Sequence, residues 1–153
     1  MKMSIAHALK EKNRLVKEIE RLWSAVQSEN SCLETHKRTT DVKKAWETIK
    51  LYGAKLVELK TKIGNAYQGE IFRKIHLLDE TKNRITKLAN TSGSEDPEVP
   101  YRGGEVKINR TAVFSDEMLL AMQRQLQAEA NRLQDEIDEF NANTKIDFET
   151  PLK

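Results

Sequence analysis

The chain is short of the features that usually announce a chemistry. A single cysteine, Cys32, stands among 153 residues, so no internal disulfide can form and no second thiol is at hand for a zinc site. That usage fits a structural thiol in a reducing cytoplasm, and cytoplasmic localisation is the expectation. No apolar run approaches the roughly 18 residues needed to cross a bilayer, and Met1-Lys-Met-Ser-Ile5 lacks the continuous apolar stretch of a signal peptide. No charge of one sign dominates either. The 26 basic and 24 acidic residues are interleaved along the segments and leave no strongly basic face for a phosphate backbone, so nucleic-acid binding is disfavoured. There is no Gly-x-Ser-x-Gly elbow and no phosphate-cradling glycine loop ending in Lys-Ser or Lys-Thr. The chain is therefore read as a non-enzyme that needs no cofactor.

What is present is helical periodicity. Ile5, Leu9, Val16, Ile19, Trp23 and Val26 fall in steps of three and four once Lys12 is counted, which predicts a helix over about 4–29. A polar link follows, and Asp41, or Thr40 beside it, caps a second helix over about 41–63. Its seam, Val42, Ala45, Ile49, Tyr52, Leu56, Leu59 and Ile63, is the most regular in the chain, and Gly64-Asn65 reads as its stop. Ile71, Ile75, Leu78, Ile85 and Ala89 mark a third helix over 70–90, interrupted by Lys82. Leu119, Met122, Leu126, Leu133, Ile137 and Phe140 mark a fourth over 115–140. Between them, 91–114 holds two prolines and no apolar period, with Val99–Tyr101 and Glu105–Asn109 flanking Gly103-Gly104 as a small β-hairpin. The expected fold is all-α: one domain over 1–153, an antiparallel up-down-up-down four-helix bundle with a β-hairpin or strand before the last helix.

That topology brings the ends of helices two and four to the starts of helices one and three. Asn65, Asn141, Asn143 and Thr144 would then face free helix N–H groups, a surface suited to a small anion or carboxylate; the plainer reading is that these residues only end helices. Counting antiparallel also sets Lys82 near Glu129. His7 with Glu11, and His76 with Glu80, have the spacing of two metal ligands on a helix, but no third ligand is evident and no metal is expected. Trp23 and Trp46 read first as core, alternatively as interface anchors. Val106 and Ile108, in the strand-like run, are candidates for pairing between subunits.

The run Leu56-Val-Glu-Leu59-Lys-Thr-Lys-Ile63-Gly-Asn65, then Arg84-Ile85-Thr-Lys-Leu88, Glu105-Val-Lys-Ile108, and Leu126 through Leu133-Gln-Asp-Glu-Ile137 to Asn141-Ala-Asn143-Thr144, resembles a family of small bacterial helical proteins labelled septicolysin. The resemblance covers nearly the whole chain and departs from the family at Ala66-Tyr67-Gln68, where a threonine-bearing segment is the common pattern. It implies a pore-forming cytolysin and brings no catalytic residues. Against a membrane role, Glu11, Glu18 and Glu20 dilute the basic face of the first helix, its best amphipathic candidate. The preferred expectation is a structural or interaction protein forming homo-oligomers. A ligand-binding module and a membrane-acting lysin are the alternatives.

Overall fold

The computed structural model describes residues 1–97 and 107–152. Their order is β1 (Lys2–Ser4), α1 (Ile5–Glu29), α2 (Val42–Ala66), α3 (Glu70–Ala89), α4 (Asp116–Asn143) and β2 (Lys145–Asp147). The chain divides into two compact units. Unit 1 joins Met1–Gly69 with Asp138–Lys153, and unit 2 is Glu70–Ile137.

In unit 1 the amphipathic pattern of α1 and α2 does what its period dictates. The start of α1 packs on the end of α2, with Ile5, Ala8, Leu15, Leu59 and Ile63 buried in one cluster, and the hairpin closes at Trp23 and Trp46. Ser4 caps α1 by accepting the His7 N–H at 3.2 Å, and Asp41 caps α2 by accepting the Lys44 N–H at 3.0 Å. Gly64-Asn65 does not stop α2. The helix runs on to Ala66, and among the described residues the chain takes a positive φ only at Gly69, +62°. That glycine lies in the connection to α3, and the expected C-terminus of α2 falls three residues early.

A two-helix hairpin cannot enclose its apolar seam by itself, and the C-terminal segment packs on it through Ile146, Phe148 and Leu152. β1 and β2 pair antiparallel with Met3 opposite Ile146, putting both apolar side chains against the cluster. Phe148 follows and is 1% exposed. The expected β-hairpin over 99–109 falls mostly outside the described residues, as does Val106. The sheet that is described joins the two ends of unit 1 instead.

In unit 2, α3 runs antiparallel to α4. Lys74 Nζ lies 2.6 Å from Glu136 Oε2, and near the other end the Gly93 N–H donates to Asp116 Oδ1 at 2.7 Å. Ile71, Leu78 and Thr81 of α3 and Leu119, Ala130, Leu133 and Ile137 of α4 are buried. Lys82 does not pair with Glu129; its ammonium is exposed and reaches Gln134 Oε1 at 3.4 Å, because a lysine stem can lie along a seam while its head stays in water. Among the described residues no helix is long and apolar enough to cross a membrane.

Candidate functional site

Two features of unit 1 stand out: the clasp that seats residues 144–152, and the aromatic surface at the opposite end of the hairpin.

The clasp begins where α4 ends. The Ile5 N–H donates to the Thr144 carbonyl at 2.9 Å, and the Phe148 N–H donates to the Met1 carbonyl at 3.0 Å. Lys62 Nζ donates to the Asp147 carbonyl and to Glu58 Oε1, both at 2.7 Å, while Lys55 holds Glu58 Oε2 at 2.9 Å. The ammonium groups of Lys55 and Lys62 each lie 5.8 Å from the Phe148 ring centroid, so one face of α2 presents cations to both the ring and the strap carbonyl. With Lys62 first and Lys55 second as donors, the Glu58 carboxyl is held below its ordinary value. Further along, the Thr150 hydroxyl donates to Glu11 Oε1, and Arg14 donates to Glu11 Oε2 at 2.8 Å. Glu11 is 2% exposed. It is tolerable there because both carboxylate oxygens are bonded.

That finding redraws the pair His7 and Glu11. His7 is exposed while Glu11 turns inward to the strap, so the two do not form a surface chelate. His76 lies edge-on to Phe72 at 4.4 Å, and Glu80 accepts from Arg84 at 3.1 Å. No group of three or more His, Cys, Asp or Glu side chains is placed to hold a metal among the described residues.

The amide-rich positions are divided. Asn141 is buried and its Oδ1 accepts the Tyr67 hydroxyl at 2.7 Å. Burial raises the Tyr67 phenol pKa, and the bond to Asn141 opposes that rise. The structure thus brings the end of α2 to the last turn of α4 through Tyr67 rather than through Asn65. Asn65 and Asn143 are exposed, and Thr144 is half-buried with its carbonyl taken by α1. At the start of α1 the Ile5 and His7 N–H groups are occupied by Thr144 and Ser4.

At the other end, Trp23 and Trp46 meet in a T-shaped contact, centroids 5.6 Å apart, and remain 39% and 44% exposed. Lys50 Nζ sits 5.9 Å from the Trp46 ring. The core reading of both tryptophans gives way to a half-exposed pair, since each covers part of the other and no more than about three-fifths of either ring is buried. Steps of seven, four and seven put Trp46, Gly53, Val57 and Gly64 on one side of α2. Val57 is exposed, and a Cβ at either glycine would meet nothing within 4 Å. Ile108, in the connection before α4, is exposed in an isolated bridge.

The link between the helices is itself locked. Glu29 Oε2 accepts the N–H groups of Thr39 and Thr40 at 2.8 and 2.7 Å, its Oε1 accepts the Thr39 hydroxyl, and Arg38 covers the Glu29 and Asn30 carbonyls at 2.8 and 3.2 Å. The Thr39 hydroxyl first, then the Thr40 N–H, hold the Glu29 carboxyl below its ordinary range. The aromatic surface therefore sits near a turn in which the Glu29 and Asn30 carbonyls at the end of α1 are satisfied by Arg38.

Comparison with protein-family models, curated proteins and solved structures finds no match for this chain.

Proposed function

We propose that this chain is a non-catalytic structural or interaction protein of the cytoplasm that forms a homo-oligomer through the tryptophan end of the α1–α2 hairpin. The observation that carries the reading is the Trp23–Trp46 pair, two large aromatic side chains held together and still about two-fifths exposed. Tryptophans clustered on a firm surface are the residues most often found to dominate binding energy. The adjoining side of α2 favours a helical partner, since Gly53 and Gly64 leave room for a second helix to come close and Val57 adds apolar area. Two α-hairpins that face each other across such surfaces give a two-fold interface in which each patch meets its own copy.

Light scattering on the eluting protein from low to high micromolar concentration tests this directly. Association that strengthens with concentration is expected, together with a blue shift of tryptophan emission, because Trp23 and Trp46 are the chain's two tryptophans. Trp23→Ala with Trp46→Ala should weaken association by about 30-fold or more, equivalent to about 2 kcal/mol at a hot spot, with the far-ultraviolet circular dichroism unchanged. A strict monomer at high micromolar concentration, or a variant that associates as the parent does, overturns the reading.

A further inference from the structure

Arg14, Lys17 and Arg21 follow one another by three and four residues and so form a row along α1. With Tyr52 of α2 and Pro151 and Leu152 of the strap they line a cleft of about 590 Å³ within unit 1, a size that takes a small organic molecule. Its two walls differ in chemistry. The α1 wall supplies N–H donors, whereas the strap wall supplies a pyrrolidine ring and a leucine that packs on the core cluster. Tyr52 and Arg21 are shared with an adjoining hollow of about 360 Å³, where Leu22, Ala25 and Ala45 extend the apolar lining.

The charges along the α1 wall do not cancel. Glu11 takes a single N–H from Arg14, at 2.8 Å, and leaves the rest of that guanidinium fork to the cleft. Glu18, the one carboxylate in the lining, has both oxygens taken by Arg21, at 2.6 and 3.0 Å. Among the described residues Lys17 has no acidic partner. Three cations thus meet two carboxylates, and one positive charge is left over at Lys17. A ligand that completes the set carries a single negative charge, which favours a carboxylate over a phosphate dianion. The apolar walls call for a hydrocarbon body on it.

We propose that this cleft binds a small amphipathic carboxylic acid as its anion, with the carboxylate between Arg14 and Lys17 and the apolar body against Tyr52, Pro151 and Leu152. Because one wall is the strap, an occupied cleft ties the end of the chain to α1. The site is independent of the association proposed above, since neither Trp23 nor Trp46 lines either hollow.

Calorimetric titration of the full chain with decanoate tests it, beside decanol, which lacks the charge, and acetate, which lacks the body. One-to-one binding of decanoate is expected, with decanol and acetate each weaker by about 10-fold or more. In amide NMR spectra the shifts should cluster around Lys17, Tyr52 and Leu152. Lys17→Glu should weaken decanoate binding by about 10-fold, through lost attraction and added repulsion, while Lys17→Arg binds as the parent does. Lys60→Glu makes the same charge change at an exposed position of α2 outside the cleft. It should leave binding within about twofold of the parent. Both charge-reversed residues are exposed, so the far-ultraviolet circular dichroism of each variant should match the parent. No binding by about 1 mM decanoate, decanol that binds as tightly as decanoate, or amide shifts confined to other residues overturns the proposal. So does a Lys17→Glu variant that binds as the parent does, or one that loses no more than Lys60→Glu.

Discussion

Replacing Phe148 with alanine removes the largest fully buried side chain among the described residues, one that touches both helices' seam and the strand pair at once. A Phe→Ala change at a core site costs about 3–5 kcal/mol through lost transfer energy and the cavity left behind. The cations of Lys55 and Lys62 over the ring add a few tenths to about 1 kcal/mol, at the low end because both ammonium groups are partly solvated and shared with Glu58. A total of about 4 kcal/mol is expected, against a stability of about 5–15 kcal/mol for a whole domain. Since Trp23 and Trp46 both lie in the α1–α2 hairpin, tryptophan emission during urea unfolding reports on the unit that Phe148 closes. At a slope of about 2 kcal/mol per molar urea, the midpoint should fall by about 2 M. Phe148→Leu should cost less than about 1.5 kcal/mol, because it nearly keeps the apolar volume. A loss below about 1 kcal/mol for the alanine variant would mean that the C-terminal segment is not part of the cooperative core, and the reasoning would fail.

Three further outcomes follow from the same geometry. Gly93→Ala places a Cβ 2.3 Å from the Asp116 nitrogen, 2.5 Å from the Ser115 carbonyl carbon and 2.7 Å from the Phe114 oxygen, all backbone atoms. It should destabilise unit 2 by about 1–3 kcal/mol, read by thermal melting followed by circular dichroism. Asp41→Ala removes the α2 cap and should cost about 1 kcal/mol in urea unfolding, with Asp41→Asn close to the parent. Glu29 is held below the ordinary carboxylate pKa in the folded chain, so its stabilisation is complete above the unfolded value and fades as pH falls through the folded one. Glu29→Gln should therefore melt below the parent at neutral pH and converge with it as pH drops through the carboxylate range.

The helices were legible because each repeats an apolar residue every three or four positions over twenty residues or more, a signal local enough to survive without tertiary information. Helix limits moved where a local rule competed with packing. Gly64-Asn65 can adopt the conformation that ends a helix, but Ala66 and Tyr67 pack on the core cluster and hold α2 for one more turn. The strap was not legible. Ile146 and Phe148 alternate with Lys145, Asp147 and Glu149, a strand pattern of only a few residues, and its partner Lys2–Ser4 lies at the far end of the chain. Alternation that brief is indistinguishable from a polar tail unless the pairing is known. Glu11 was misread for the same reason. A charged residue at a helix surface spacing looks exposed until Thr150 and Arg14 are seen to satisfy both its oxygens. The tryptophans sit at stripe positions, yet a stripe says which side of a helix is apolar and not whether that side is covered at a given turn.

The account depends on residues 144–152 being an integral layer of unit 1, and amide hydrogen exchange of the unmodified chain measures that most directly. The Phe148 and Ile5 amides, bonded to Met1 and Thr144 across the sheet, should exchange as slowly as the buried turns of α1 and α2 around Leu15 and Leu59, since both open only when the unit unfolds. Exchange of the Phe148 amide at the rate of a free peptide, while Leu15 and Leu59 stay protected, would contradict it.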